Sequence, residues 1–382
     1  MHRTRCWGLI VALVLSAACA RPSSPLPAAP APSPTLAQPI ALPRDGGPHD
    51  ALTEWWYFTG HLQSDQDGSL YGFEFTIFQA QRQGSPTGYL AHFAVSDIGG
   101  QRFSHQARTA QTETGGPPSH AAALQPDGVT SAEPSRAVFP LDVGGWRLST
   151  DGGTDSIVAD MQAGPGADPP FGVQLQLVDE KPPALHNGGY IEYGIPGGSY
   201  YYSRTRLNVR GQLSQAGGDP VSVSGVAWMD HQWGNFVVGA VGGWDWYSLQ
   251  LDDRSELMLY VLRAPSGETT GVYGTQVLAD GTSHDLGAGS VRTEATGSWT
   301  SPHTGGVYPS GWLLTLPSGE KLEVRPQLQD QELFFPRATP QTADASGAAP
   351  GSAVPAYWEG AVTVSGDRTG LGYVELTGYT HP

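Results

Sequence analysis

The chain has 382 residues, enough for two domains of ordinary size and a sizeable core. Only 15% of the residues are charged, whereas Gly (51) and Pro (32) are abundant, which favours short strands and tight turns over long helices. The formal net charge is -16 and the two lysines, Lys181 and Lys321, lie far apart, so no basic stripe exists. This excludes the electrostatic signature of nucleic-acid binding.

The first 19 residues predict an export signal. A basic start, His2–Arg5, precedes an apolar stretch, Trp7–Leu15, that is too short to span a bilayer. Ser16–Cys19 approximates a lipobox, so we expect Cys19 to become a lipidated N-terminus in the bacterial cell envelope, with ordinary secretion as the alternative. Because Cys6 would leave with the signal, the mature chain would have no disulfide, and membrane contact would be limited to the lipid anchor.

Three segments have the composition of tethers or surface loops. Residues 20–49 are rich in Pro, Ala and Ser and predict a semi-rigid tether, with folded structure starting near Asp50. Ser104–Arg136 and Ala338–Ala356 are rich in small and polar residues and predict surface excursions without chemistry.

The remaining sequence predicts an all-β fold. Leu70–Gln79 alternates, with Phe73, Phe75 and Ile77 on one face and Glu74 on the other, as in a half-buried strand. No segment of comparable length has a helical period. Further strands are predicted at Tyr89–Ser96, Phe171–Val178, Arg204–Arg210, Val221–Met229, Tyr247–Leu251, Glu256–Leu262, Trp312–Leu316 and Leu371–Tyr379.

One structural unit occurs twice in the sequence. Two pairs of segments share their order of acidic, aromatic and alternating positions: Glu54–Ala80 with Asp245–Ala264, and Tyr201–Gly211 with Tyr357–Gly366. The simplest explanation is a tandem pair of antiparallel β units, residues 50–234 and 235–382. Each is long enough to curl into a barrel and so remove its open edges.

Familiar catalytic and cofactor motifs are missing from the sequence. It has no GxSxG elbow, no GxxxxGK[ST] or GxGxxG loop, no HExxH and no cysteine cluster, so we expect no cofactor and no tightly bound metal. The eleven histidines are scattered, and a zinc site would have to be assembled from distant strands. A hydrolase is possible only without the usual nucleophile elbow.

The stretch MDHQWG ends a predicted strand and holds an acid, a base and an indole. On a regular strand His231 and Trp233 share one face and Asp230 the other, although Gly225 could host a bulge upstream. His231 and Trp233 either border a ligand site or plug the junction between the two units. For Asp230 a structural role, as a turn cap or an arginine partner, is favoured.

Two carboxylates lie among aromatic residues. Glu54 shares a face with Trp56, where desolvation would raise its pKa and make it a proton donor, but a buried ion pair with Arg204 or Arg206 is favoured. Glu375, on a face with Tyr373 and Tyr379, presents the same choice. The isolated histidines His61 and His92 are interpreted as structural. The tryptophans pack the core or line an apolar cavity.

These residues also carry a family resemblance. EWWYFTGHL, LYGFEFTIF, YYSRTRL, MDHQWG, WDWYSLQL, YWEGAVTVSG and GLGYVELTGY, in this order from Glu54 to the C-terminus, resemble the AttH and carotenoid 1,2-hydratase (hydroxyneurosporene synthase) family, including its secreted members labelled predicted hydrolases. The resemblance implies two lipocalin-like (calycin-like) barrels. It also implies addition of water to the terminal double bond of an acyclic carotene, or isomerisation, without a cofactor.

The resemblance further implies that His231 and Trp233 border the site, together with a tyrosine and an acidic residue on a strand of the second unit. That strand, SELMLYVLR, has Tyr260, but its acidic residue is Glu256, near the strand start, and no Asp follows Asp253. Protonating an alkene needs a neutral acid in an apolar pocket and one admitted water.

Together these patterns predict an envelope lipoprotein that binds an apolar, isoprenoid or lipid-like small molecule and acts on it by cofactor-free acid–base chemistry. The alternatives are a non-catalytic carrier or chaperone for such a molecule, and a hydrolase. The candidate catalytic residues are His231, Trp233, Tyr260, Glu54 and Asp230. The candidate ligand-binding residues are Trp56, Trp228, Trp246, Tyr373 and Glu375.

Overall fold

The structure is a computed structural model that describes residues 38–82, 85–112, 139–163, 170–192, 198–215, 218–235, 242–335 and 356–380. The predicted signal, Cys19, the tether up to residue 37 and nearly all of Ala338–Ala356 lie outside these residues. Within them, no helix has the length and apolar character that crossing a membrane requires. A single turn of 3₁₀ helix, Arg44–Gly46, is the one helical element of the described chain.

The first sheet contains eleven strands of the described chain. They are β1 Thr53–Ser64, β2 Leu70–Ala80, β3 Gly88–Asp97, β4 Arg102–Gln111, β5 Phe139–Val143, β6 Trp146–Asp151, β7 Thr154–Asp160, β8 Phe171–Asp179, β9 Ala184–Glu192, β10 Gly198–Gln215 and β11 Val221–Gly234.

The second sheet contains ten strands, and a two-stranded ribbon, β17 with β18, accompanies it. The strands are β12 Gly243–Leu251, β13 Glu256–Arg263, β14 Thr269–Val277, β15 Ser283–Leu286, β16 Arg292–Ala295, β17 Ser298–Thr300, β18 Val307–Pro309, β19 Trp312–Thr315, β20 Lys321–Pro326, β21 Glu332–Leu333, β22 Tyr357–Gly366 and β23 Gly370–Leu376.

The two sheets repeat one topology. The first has the order β4-β3-β2-β1-β11-β10-β8-β7-β6-β5, with β9 on β10, and the second has β15-β14-β13-β12-β23-β22-β20-β19-β16, with β21 on β22. In each sheet the first strand pairs antiparallel with the last, β1 with β11 and β12 with β23. The first sheet also curls until β5 contacts β3 and β4. The predicted all-β fold of two barrel-like units is therefore confirmed.

Each barrel-like sheet has its own apolar core. The predicted inward face of β2 is confirmed, since Phe73, Phe75 and Ile77 are fully buried in the first core, which also contains Trp56. The strand is not half-buried as predicted, because Glu74 and Thr76 on its other face are also buried. The second core is built in the same way around Trp312. Each such side chain contributes roughly 1.5–3 kcal/mol of transfer free energy on burial.

The two sheets also pack against each other through the outward side of their central strands. We call this contact the inter-sheet face, and its buried members are Tyr57, Ile191, Tyr201, Trp228, Trp246, Met258, Tyr260, Ala361 and Tyr373. Strand alternation explains it, because Tyr57 lies between two core residues of β1 and must point out of the first barrel. An outward face made of aromatic residues is removed from water only by a second sheet.

Two histidines predicted to be structural cross this contact. His61 Nε2 lies 2.9 Å from the backbone oxygen of Gly372, and His92 Nδ1 lies 2.7 Å from the hydroxyl of Tyr357. Burial lowers the pKa of His61 to about 4 and that of His92, which His105 also affects, to about 3. Both imidazoles are therefore neutral links between the sheets.

The structure corrects the predicted loop at Ser104–Arg136. Its first eight residues belong to β4 and pair with β3, while residues 113–138 lie outside the described chain. The strand was missed because β4 lies at the sheet edge, where a half-buried polar strand has little apolar alternation.

Folded structure also begins before Asp50. Asp45 is only 8% exposed, and the indole of Trp56 donates to the backbone oxygen of Gly46 at 3.0 Å. The predicted bulge at Gly225 is wrong, since the register shift lies in β10, between Arg204 and Leu207. Gly225 instead permits close packing, because a Cβ there would lie 1.9 Å from the backbone oxygen of His61.

Candidate functional site

Strand β11 sends the neighbouring residues of MDHQWG to opposite sides, as its parity predicts. Asp230 lies across from Tyr57 of β1 and joins the inter-sheet face, whereas His231 lies across from Trp56 and points into the first barrel. The structure therefore contains two separate clusters of ionisable groups, one on each side of this strand.

The cluster inside the first barrel is centred on Glu54. Its Oε1 lies 2.8 Å from Nε2 of His231 and 2.7 Å from Nδ1 of His49, and the other nitrogen of His231 lies 3.1 Å from the hydroxyl of Tyr202. The ring of His49 stacks on Trp233 with centroids 4.0 Å apart. His231 and Trp233 thus pack within the first barrel and do not plug the junction between the two sheets.

The expectations for Glu54 are wrong in partner and in pKa. Arg204 and Arg206 pair with other carboxylates, so neither reaches Glu54. Burial alone would raise the pKa of Glu54, but the hydrogen bonds and charges of His231 and His49 outweigh it and lower that pKa. Glu54 is therefore an ionised acceptor and a poor proton donor.

The same three residues could hold a metal ion. One ligand atom each from His49, Glu54 and His231 lies within 4.8 Å of the others, a nitrogen and oxygen donor set that suits zinc. The sequence did not indicate such a cluster, because its members come from β11, β1 and the segment before β1. Oε1 of Glu54 is within hydrogen-bond distance of both histidines, and these two contacts bring the three side chains together.

Asp230 is the centre of the second cluster and is only 3% exposed. Tyr201 donates to its Oδ2 at 2.6 Å, the indole of Trp228 donates to Oδ1 at 2.6 Å, and Ser203 also donates to Oδ1. Burial raises the pKa of Asp230 to about 6, although the three donors counteract the shift. Asp230 is thus neither a turn cap nor an arginine partner, and a pKa near neutrality suits general acid–base chemistry.

Three more carboxyl groups lie near this cluster: Glu74 and Glu359 are buried, and Glu375 is half-buried. Glu359 accepts from the hydroxyl of Tyr57, Glu375 accepts from the indole of Trp244 at 3.0 Å, and Glu74 accepts from a threonine hydroxyl. Burial, with the charges of neighbouring carboxylates, raises the pKa of Glu74 to about 8, that of Glu375 to about 7 and that of Glu359 well above its usual range. The ion pair considered for Glu375 is replaced by an indole contact.

A cavity of about 570 Å³ opens between the two sheets beside this cluster. Met258 and Tyr260 of β13 and His186 and Ile191 of β9 are among its walls, and Tyr260 stacks on Tyr273 with ring centroids 5.0 Å apart. The volume lies in the range of small-molecule sites. The walls also include Asn187, Glu192 and Asp285, so a ligand would contact aromatic and aliphatic side chains on one part of the cavity and polar groups on another.

His186 connects the cavity to Asp230. Its Nε2 lies 2.6 Å from the hydroxyl of Ser203, which bonds to Asp230, and its ring lies 4.2 Å from that of Tyr201. The tyrosine hydroxyl also accepts from the indole of Trp246 at 3.0 Å. His186, Ser203 and Tyr201 are not predicted as site residues from the sequence, although Tyr201 and Ser203 share one parity in β10.

The structure divides the predicted site residues into two groups. The inter-sheet group contains Asp230, Tyr260, Trp228, Trp246, Tyr373 and Glu375. The group inside the first barrel contains His231, Trp233, Glu54 and Trp56. Glu256 belongs to neither group, since it pairs with Lys181 and Arg206, and these ion pairs withdraw it from proton transfer.

Comparison with known protein families identifies the family of this chain. Residues 33–379 match the AttH-like family model. The chain belongs to the AttH-like family. No curated protein sequence matches the chain significantly.

Two solved structures have a similar fold. A candidate AttH protein from Nitrosomonas europaea is 27% identical, with a TM-score of 0.71 over 91% of this chain and 98% of that one. Kievitone hydratase from Nectria haematococca is 14% identical, with a TM-score of 0.63 over 88% of this chain and 92% of that one. The second likeness extends to the fold alone.

Proposed function

We propose that this AttH-like protein binds an apolar, isoprenoid or lipid-like molecule between its two sheets and hydrates or isomerises a carbon–carbon double bond without a cofactor. One observation carries the proposal. Asp230, Glu74 and Glu359 are buried and Glu375 is half-buried at an aromatic face, and in the described chain none of the four hydrogen-bonds to an arginine or lysine. Asp230 is also connected to the cavity wall, through Ser203 and His186.

Carboxyl groups held in this way can act as acids near neutral pH. A carboxyl O–H would donate its proton to one alkene carbon, water would attack the cationic neighbour, and the surplus proton of that water would return to a carboxylate. The faces of Trp246 and Tyr260 would stabilise the cation. We assign Asp230 as the central acid–base group because its pKa, about 6, lets it both give and take a proton.

The fold of a similar solved structure and the N-terminal sequence of this chain both support the proposal. Kievitone hydratase has the same fold and is named as a hydratase, so the fold is compatible with water addition. If the predicted export signal is used and Cys19 is lipidated, the N-terminus would hold the protein at the cell envelope, where apolar substrates partition.

Turnover of defined acyclic isoprenoids tests the proposal. The protein is incubated with lycopene, squalene or geranylgeraniol in ¹⁸O-labelled or deuterated water, and products are analysed by mass spectrometry. We expect a product that has gained one labelled water or one deuterium, and we expect Asp230→Asn to reduce turnover by about 100-fold or more. Glu332→Gln is the matched control, because this buried carboxyl accepts three hydroxyl bonds at the second barrel, away from the cavity.

The alternatives predict different outcomes of the same experiment. A carrier would copurify with an apolar ligand, visible by native mass spectrometry, and would release it unchanged in wild type and Asp230→Asn alike. A hydrolase would cleave an ester probe, and a serine-directed reagent would label one residue stoichiometrically. Either result would refute hydration or isomerisation at this site.

A further inference from the structure

Asp230 is one end of a line of side chains that crosses both sheets. The line continues through Ser203 of β10, His186 of β9 and Thr275 of β14 to Asp285 of β15. His186 Nε2 lies 2.6 Å from Ser203 Oγ, His186 Nδ1 lies 2.8 Å from Thr275 Oγ1, and Thr275 Oγ1 lies 3.1 Å from Asp285 Oδ1. Each contact is within hydrogen-bond distance.

The two ends of the line lie in different environments. Asp230 is 3% exposed, whereas Asp285 lies on the surface and accepts a backbone hydrogen bond from Asn187 at 3.0 Å. The middle of the line, His186 with Thr275, lines the cavity between the sheets. A buried carboxyl and a solvent-exposed carboxyl are thus joined along the cavity wall.

The protons of this line decide how it can work. Ser203 and Thr275 carry one hydroxyl proton each, and neutral His186 carries one N–H, which gives three protons for four contacts. Burial lowers the pKa of His186 to about 3, so its neutral form is the relevant one. All four contacts are hydrogen bonds only when one further proton resides on one of the two terminal carboxyls.

That proton can be at either end. When Asp285 is protonated, it donates to Thr275, Thr275 donates to Nδ1, Nε2–H donates to Ser203, and Ser203 donates to ionised Asp230. When Asp230 is protonated, every donation runs the opposite way. Conversion of the first state into the second moves each of the four protons across one hydrogen bond and transfers one net proton from Asp285 to Asp230, with no other bond made or broken.

We propose that Asp285, Thr275, His186 and Ser203 form a proton relay that connects buried Asp230 with solvent. The inference rests on the proposed function in one respect, since a relay matters only if Asp230 gives and takes protons during turnover. It restores the protonation state of Asp230 through side-chain hydrogen bonds along the cavity wall, so no water molecule has to reach Asp230 itself. His186 acts through Ser203, and so these residues are positioning and relaying groups rather than the acid itself.

The groups that face Asp230 and His186 are compatible with this role. Asp230 meets the hydroxyls of Tyr201 and Ser203 and the indole of Trp228, and its charge contributes to the raised pKa of Glu359 and Glu375. None of these groups is a cation that would hold Asp230 permanently ionised.

Infrared spectroscopy after a rapid pH jump tests the relay without any substrate. The C=O band of protonated Asp230 is identified by its loss in Asp230→Asn, and its rate of appearance is measured in the full chain. We expect Thr275→Val, which removes a hydroxyl at nearly constant volume, to slow this rate at least about tenfold relative to wild type. Thr275→Ser, which keeps the hydroxyl, is the matched control and should respond like wild type.

A second variant distinguishes loss of the relay from misfolding of the protein. Asp285→Asn changes an exposed side chain and should also slow the response, with unchanged near-ultraviolet circular dichroism. Equal rates in wild type, Thr275→Val and Asp285→Asn would overturn the relay. Turnover by Asp230→Asn decides the proposed function separately, because full activity of that variant would refute the acid role of Asp230 whatever the infrared rates show.

Discussion

At the scale of single residues, Glu74 shows the energetic cost of the inter-sheet face. Burial, together with the charge of Glu375, raises the pKa of Glu74 to about 8, so the folded chain holds this proton more tightly than the unfolded chain. The stabilising contribution is complete below the ordinary carboxyl pKa and is lost as the pH rises through about 8. Each unit of pKa difference corresponds to about 1.4 kcal/mol.

Glu74→Gln should therefore be more stable than wild type at pH 9 by at least about 1 kcal/mol and nearly equal to it at pH 4. Urea unfolding at the two pH values measures the difference. Glu268→Gln, an exposed change in the turn between β13 and β14, should match wild type at both. A Glu74→Gln curve parallel to wild type across this range would contradict the assignment.

At the scale of elements, a buried ion pair fixes the β8–β9 connection to the hairpin of β12 and β13. Lys181 Nζ lies 2.7 Å from Glu256 and donates to the backbone oxygen of Leu278 at 2.8 Å, and Arg206 of β10 lies 2.6 Å from the same carboxylate. Removal of Lys181 would leave the buried carboxylate of Glu256 with Arg206 but without its second cation, and would remove the donor to the backbone oxygen of Leu278, which is strongly destabilising in a buried site.

We expect Lys181→Met to lower the free energy of unfolding by about 3 kcal/mol. The other lysine provides the control, since Lys321 is exposed and Lys321→Met should change stability by less than about 0.5 kcal/mol. Adding Glu256→Gln to Lys181→Met should cost less than the sum of the two single changes. Strict additivity in chemical denaturation would show that the pair does not couple the elements.

At the scale of the whole molecule, the inter-sheet face makes the two barrel-like sheets depend on each other. Separation would expose Trp228, Trp246 and Tyr201 and break bonds such as that of Tyr57 to Glu359. Chains of this length often unfold one domain at a time. Here we expect a single calorimetric transition whose van't Hoff and calorimetric enthalpies agree. Two resolved transitions would mean that each sheet keeps its fold alone.

How far the sequence predicts this molecule depends on the scale. Period-two alternation in segments such as Leu70–Gln79 predicts strands and their inward faces, and the internal repeat predicts two units, because both follow from local chemistry. Edge strands such as β4 have too few inward apolar residues to be recognised. The strand pattern and the repeat do not define the type of barrel; the family resemblance implies that it is lipocalin-like.

The site was harder to predict, because residues far apart in sequence determine the environment of each ionisable group. Strand parity separated Asp230 from His231, yet nothing in the sequence indicated that the outward side of β11 meets a second sheet. The turn cap or arginine pair favoured for Asp230 is therefore replaced by hydrogen bonds from Tyr201, Ser203 and Trp228. Asp230 lies near the cavity, His231 bonds to Glu54, and His186, which no motif marks, lines the cavity wall.

The alternation of β11 has a consequence for reading this family by comparison. Adjacent residues in MDHQWG point to opposite sides of β11, Asp230 to the inter-sheet face and His231 into the first barrel, so the two side chains have separate sets of contacts although they share a peptide bond. A relative that keeps the acid and loses the imidazole would retain the inter-sheet chemistry, and one with the opposite change would retain only the barrel interior. When this six-residue motif is compared among relatives, the position of Asp230 and the position of His231 therefore have to be compared separately.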